Sequence, residues 1–210
     1  RDGEVNDYEV AEVTFNEDGS IYKIEEFDIA SNPDFLLRAY TYTYSGDKII
    51  TITELRNDAA TPYTRTHVYK YNGDNLASIT QSGDPDGENM KMTNIVYENG
   101  NMKSADFDFD GTGLIIAKVT ATCDDKFNHV KHLLPLPEAM MERFNNNNVV
   151  SVQLVEDVNM GVQNVPAGSK ILDRVYTYND NNEVATKTDK PGFFDDGGSD
   201  GVWTITYLCE

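Results

Sequence analysis

A short phrase recurs along this chain: an aromatic or aliphatic residue, a spacer, an aromatic, a turn rich in Gly, Asn and Asp, then an aliphatic run. It stands as Val13-Thr14-Phe15, Asn16 to Gly19, Ile21, and returns as Tyr42-Thr43-Tyr44, Ser45-Gly46-Asp47, Ile49. Further copies are Tyr69-Lys70-Tyr71 with Asn72-Gly73-Asp74 and Leu76, Ile95-Val96-Tyr97 with Glu98-Asn99-Gly100 and Met102, and Tyr176-Thr177-Tyr178 with Asn179-Asp180-Asn181 and Val184. The last aromatics before the first four turns, Phe15, Tyr44, Tyr71 and Tyr97, are 29, 27 and 26 residues apart. Another 26 residues lead to Cys123, where Asp124-Asp125-Lys126 reads as a degenerate turn. From there 55 residues lead to Tyr178 and 29 more to Tyr207. A period of this length marks a repeat architecture.

Each unit reads as a β-hairpin and a return connection. Asn-Gly and Asp-Gly accept positive φ at little cost, so between apolar runs they signal a tight hairpin. Tyr40, Tyr42 and Tyr44 alternate with Thr41 and Thr43, and His67, Tyr69 and Tyr71 alternate likewise, which is the period of a strand. The expectation is an all-β chain: an antiparallel meander of about 14–16 strands, curved into an open or incomplete barrel. The repeat runs from end to end, so residues 1–210 are expected to form a single β-repeat domain.

One stretch breaks the rhythm. Leu133-Leu134-Pro135-Leu136-Pro137 is stiff and extended. Residues 137–144 then predict one short helix, with Pro at its tolerated first position and Glu138 favourable to the helix dipole. Met140, Met141 and Phe144 share a face at helical spacing. The helix is expected to plug or cap one end of the sheet, or to bind a partner.

Composition excludes some functions. Lys and Arg total 17 against 36 Asp and Glu, for a formal net charge of −19. That excess repels phosphate backbones and anionic bilayers, so nucleic acid is not an expected partner. No apolar run approaches the roughly 18 residues of a membrane-spanning helix. Lys23, Glu25, Arg65 and Lys70 place charge on both strand faces, unlike a lipid-facing strand. Arg1 opens the chain without an initiator Met, as in a processed or truncated product. Cys123 and Cys209 are the only cysteines, and their pairing stays open.

Cys123-Asp124-Asp125-Lys126-Phe127-Asn128, followed by Leu133-Leu134-Pro135, resembles the Tyr-Asp-Asp-Lys-x-Asn-Pro phrase of a family of Bacteroidetes lipoproteins of unknown function. Cys123 stands where Tyr is usual and His129 where Pro is usual. The helix, the Asn145–Asn148 run and the Tyr-repeat units are similar to that family over nearly the whole chain. The resemblance implies a porin-like fold and export to the periplasm or cell surface, as an outer-membrane lipoprotein anchored at a Cys upstream of Arg1. It implies no catalytic residues. A more distant similarity is to Tyr-Asp repeat proteins of large secreted shells.

Candidate chemistry is sparse. Asp106-Phe107-Asp108-Phe109-Asp110-Gly111 matches the opening of a calcium loop, but the closing Glu position holds Ala117. Asp106, Asp108 and Asp110 therefore read as an exposed acidic strand edge, or as a weak calcium site. No other cofactor is expected. The acidic loops at 84–88 and 195–201 read as solvated turns. His129 and His132 are three apart and His67 is distant, so the histidines read as surface residues rather than zinc ligands. No catalytic motif appears, and the chain is expected not to be an enzyme. Tyr40, Tyr42, Tyr44, Tyr69 and Tyr71 fall on neighbouring strands. They form either a packed core face or an aromatic platform for a glycan or protein partner. The leading functional reading is a non-enzymatic secreted or surface-anchored binding or structural protein. The alternative is a carrier holding a small apolar or glycan ligand inside the barrel, with a hydrolase third.

Overall fold

Hairpin follows hairpin in the computed structural model, which describes residues 9–28, 35–57, 59–87, 89–108, 111–113, 116–132, 135–137, 142–159, 164–190 and 201–204. The strands are β1 (Glu9–Phe15), β2 (Ile21–Asp28), β3 (Leu36–Ser45), β4 (Lys48–Arg56), β5 (Tyr63–Asn72), β6 (Asn75–Ser82), β7 (Met90–Glu98), β8 (Asn101–Asp108), β9 (Ile116–Phe127), β10 (Asn147–Leu154), β11 (Val158–Asn159), β12 (Asn164–Val165), β13 (Lys170–Tyr178), β14 (Val184–Lys190) and β15 (Gly201–Thr204). Thirteen of these join one sheet in chain order, and β11 and β12 form a separate ribbon between β10 and β13. Among the described residues the order begins at β1 and ends at β15, with no pairing between those two edge strands. The all-β meander and its strand number match the sequence expectation.

The expected turns are where the chain reverses. Asn99 and Gly100 both have positive φ, 54° and 76°. That is what a two-residue hairpin with the right-handed twist of its strands requires, and it explains Asn-Gly there. At the first turn the Asp18 carboxylate accepts from Ser20 N and Ser20 Oγ at 2.9 and 2.6 Å. Those bonds, the hydroxyl one foremost, hold its pKa below the usual value.

Contacts divide the chain into two compact units. The first is Arg1–Lys70 with Ile79–Met90, and the second is Tyr71–Ser78 with Lys91–Glu210. In the first, antiparallel register lays inward residues in rows across the strands. One row runs Val13, Ile24, Tyr40, Glu54, Arg65, and the next runs Tyr42, Ile52, His67. Ile24, Tyr40 and Ile52 are fully buried. Each such apolar side chain contributes about 1.5–3 kcal/mol from the surface it removes from water. In the second unit Ala105, Val119 and Leu154 form a buried row across β8, β9 and β10.

Two local expectations differ from what is observed. The degenerate turn expected at Asp124-Asp125-Lys126 is not a turn, because β9 runs straight through it. The neighbouring strand explains this. Asp124 Oδ1 accepts from Asn148 N and Asp124 Oδ2 from Asn148 Nδ2, both at 3.2 Å, so a residue that commonly breaks strands is bonded within the sheet. The helix expected at 137–144 has its centre, 138–141, outside the described residues. Pro137, Glu142 and Arg143 are helical, and the one helical element delimited among the described residues is a 3-10 turn at His129–His132. No helix among the described residues is long and apolar enough to cross a membrane.

Candidate functional site

Period two along β3, β4 and β5 turns polar as well as apolar side chains inward. In the first unit the inward rows carry Glu54 and His67, which are 1% and 4% exposed. Glu54 Oε2 and His67 Nε2 are 2.9 Å apart, and Arg56 Nη1 lies 3.6 Å from Glu54 Oε1. In the same unit Arg65, opposite Glu54 in register, grips Asp84 through Nε, at 2.8 Å, and through Nη2. Tyr63 OH donates to the same carboxylate at 3.3 Å, and the backbone N–H of Asp86 at 2.9 Å. Asp84 is buried. It therefore anchors residues 84–87 on β5, where a wholly solvated turn was expected over 84–88. Likewise, His67 is a buried, paired residue and not a surface one. The side chains of His129 and His132 fall outside the described set.

The second unit has its own ionic cluster. Arg174 Nη1 lies 2.5 Å from Glu142 Oε2, and Arg174 Nε 2.6 Å from Asp189 Oδ1. Burial works against the guanidinium charge, but Glu142 and Asp189 outweigh it and push the pKa above the ordinary Arg value. Burial also opposes the charge of Asp189, yet Arg174 and Lys187 hold its pKa below the usual carboxylate value. Tyr178 OH donates to Asp124, and Tyr176 OH donates to Val149 O at 3.3 Å. Burial, more than any neighbouring charge, raises both phenols. Cys123 is a free thiol, pushed up to about 11 by burial and then by Asp124 and Glu142. Cys209 lies outside the described residues.

Asparagines finish this cluster. Asn128 Nδ2 donates to the carbonyls of Glu142 and Asn145 at 2.7 and 2.9 Å. Asn145 Oδ1 accepts from Met102 N at 2.5 Å. Asn128 thus satisfies carbonyls of the connection after β9, and Asn145 a backbone N–H of β8, that burial would otherwise leave unpaired.

The five tyrosines proposed as a stacking platform are distributed differently. Tyr40, Tyr42 and Tyr69 are buried on the inward face of the first unit, where Tyr40 OH donates to Glu26 Oε2 at 3.4 Å. Tyr44, half-buried, donates to Ile21 O at 2.9 Å. Tyr71 belongs to the second unit and packs edge-on against Phe144, with centroids 5.5 Å apart. Of the calcium candidates, Asp106 Oδ2 accepts from Asn94 Nδ2 at 2.6 Å and Asp108 Oδ2 from Gly113 N at 2.9 Å. Asp108 is buried, and Asp110 lies outside the described residues. Among the described residues no three His, Cys, Asp or Glu side chains converge as a metal site.

Sequence reasoning missed the Glu54–His67 and Arg174–Glu142 pairs. A signal existed for the first. In Ile-Thr-Ile-Thr-Glu-Leu, Glu54 alternates with Ile52, so period two puts it on the inward face. Nothing local marks Glu142 as the partner of Arg174, 32 residues away.

No family model matches the chain, and no curated protein matches it. Among solved structures it is similar to a porin-like protein from Bacteroides uniformis, with 16% identity and a TM-score of 0.43 over 91% of this chain and 87% of that one. At that level the likeness carries no argument about function.

Proposed function

We infer that this chain is a non-catalytic binding or structural protein that works outside the cytoplasm, in the periplasm or at the cell surface, held by a lipid anchor upstream of Arg1. One observation carries the non-catalytic part. The buried charged side chains are engaged with partners that tie neighbouring segments together, as Glu54 is with His67, Asp84 with Arg65, and Glu142 with Arg174. Pairs of this kind tie strands and loops together, which is the use a scaffold makes of buried charge. The rings of Tyr40, Tyr42 and Tyr69 are closed off from solvent. Glycan or protein contact therefore falls to exposed side chains such as Phe15, Tyr22, Ile116 and Phe127. The secreted lipoprotein part rests on the Asp124 to Asn128 phrase and the Tyr-repeat units. No cofactor enters this reading.

Two measurements test it. Purified protein screened on chromogenic glycosides and esters is expected to show no turnover; activity abolished by one carboxylate substitution overturns the non-catalytic reading. Metabolic labelling of the full-length precursor with a fatty-acid probe is expected to tag it at a cysteine preceding Arg1, and an untagged precursor overturns the anchor.

A further inference from the structure

β1 is an edge strand without the protection that edges commonly carry. Among the described residues it pairs on one side, with β2, so alternate backbone N–H and C=O groups on its other side face outward from the ladder. Folded proteins blunt such edges with Lys, Pro or an inward-pointing charge. The strand reads Glu-Val-Ala-Glu-Val-Thr-Phe and has neither Lys nor Pro. From Ala11 to Phe15 its inward positions are Ala11, Val13 and Phe15, all apolar. Its one irregularity of register, between Thr14 and Phe15, lies at the hairpin end.

The two faces of this edge suit different side chains. On the inward face the row Val13, Ile24, Tyr40 is fully buried at Ile24 and Tyr40. Val13 is only half-buried, Ala11 is exposed and Phe15 is 59% exposed. The apolar layer therefore reaches β1 and stops there uncovered. On the opposite face Glu12 stands directly across from Glu25, a like-charge pair that costs stability. Lys23 Nζ lies 2.7 Å from Glu25 Oε1, and among the described residues no cation is paired with the exposed Glu12. One more strand laid on β1 would bond the outward backbone groups. It would cover Ala11, Val13 and Phe15 with side chains of one face, and set those of the other beside Glu12.

We propose that the β1 edge takes an extended segment of a partner protein as an added strand, and that this segment alternates apolar side chains with Lys or Arg. A second copy of this chain does not fit the same edge. Pairing two β1 strands antiparallel about their middle residue sets Glu12 against Glu12, between chains that each carry a formal net charge of −19. The alternation follows from the period of a strand, because a slip of one residue lays the basic side chains on Val13 and the apolar ones on Glu12. The proposal rests on the binding reading above and names its surface and its partner's chemistry. Its failure leaves the turnover and labelling outcomes of that reading standing.

The test titrates the intact chain with an end-capped peptide of alternating Val and Lys, as long as the 7 residues of β1. Calorimetry reads the affinity and hydrogen exchange reads the β1 amides. A control peptide holds the same residues with its Lys grouped together, so general attraction to an acidic chain is equal for both. The alternating peptide is expected to bind at least about tenfold more tightly than the control and to slow exchange at alternate amides between Ala11 and Phe15. Equal affinities, or slowed exchange confined to other strands, overturn the proposal. Glu12 is exposed, so Glu12→Lys is expected to leave the melting temperature nearly unchanged and weaken the alternating peptide roughly fivefold. An unchanged affinity in that variant overturns the basic alternation. Sedimentation of the chain alone is expected to show a monomer; a dimer that slows exchange at the same β1 amides assigns the edge to a second copy and overturns the proposal.

Discussion

At the scale of single residues, the chain spends charge on holding strands together. Glu54 and His67 illustrate the energetics. Both are almost fully buried, and each is the near partner of the other. Removing His67 leaves Glu54 Oε2 without its hydrogen-bond partner while Arg56 stays 3.6 Å from Oε1, so His67→Ala is expected to cost about 1–3 kcal/mol in urea denaturation. Replacing both by apolar residues of similar volume is expected to cost far less. A double-mutant cycle checks the contrast, because two equal and additive losses are incompatible with a coupled pair. A half-buried thiol and a half-buried phenol of the second unit make a prediction for alkaline solution. Cys123 is raised from 9.0 to about 11, and Tyr97 from 10.0 to about 12, chiefly by burial in both cases. A group whose folded pKa is raised stays protonated longer in the fold than in the unfolded chain. Its contribution is full below the unfolded value and is lost as pH climbs through the folded one. Stability measured by denaturant at pH 8, 9.5 and 10.5 is therefore expected to fall progressively, and Cys123→Ala is expected to flatten the first part of that decline. Little of this was legible beforehand. Alternation alone places Glu54 inward, but its partner depends on register between β4 and β5, which no single strand encodes.

At the scale of elements, legibility was high where signals are local. The turns at Asn16–Gly19, Asn72–Asp74, Glu98–Gly100 and Asn179–Asn181 follow from residues that tolerate positive φ, and each joins two antiparallel strands. It failed where a distant partner overrides local preference. Asp124 sits inside β9 because Asn148 and Tyr178 bond its carboxylate, and the β11–β12 ribbon has no turn signature of the repeated kind. Two glycines separate the backbone requirement from the packing requirement. Gly46 has φ of 62° and open space around it, so Gly46→Ala is expected to cost about 1–2 kcal/mol from the left-handed backbone alone. Gly83 has φ of 94°, and an added Cβ would stand 2.5 Å from the carbonyl oxygen of Thr64, which is backbone and cannot swing aside. Gly83→Ala is expected to be the more destabilising by thermal melting, by at least about 1 kcal/mol. Equal losses would mean that the close approach to β5 carries no weight.

At the scale of the whole molecule, acidity sets the behaviour in solution. With a formal net charge of −19, self-repulsion opposes the compact state, and salt screens it over a Debye length of about 8–10 Å. The melting temperature is expected to rise by a few degrees between roughly 20 mM and 0.5 M sodium chloride, and a flat or falling profile would show that specific ion pairs outweigh the general repulsion. The order of strand pairing has a consequence for how the fold arises. Ser45 faces Lys48, and each strand from β2 to β10 finds its neighbour next in the chain. Such a topology has low contact order, and up to β9 the loops to be closed are short. A chain that emerges from a narrow exit one end first can lay each ribbon on the last while its tail is still confined, so assembly need not wait for the C-terminal strands.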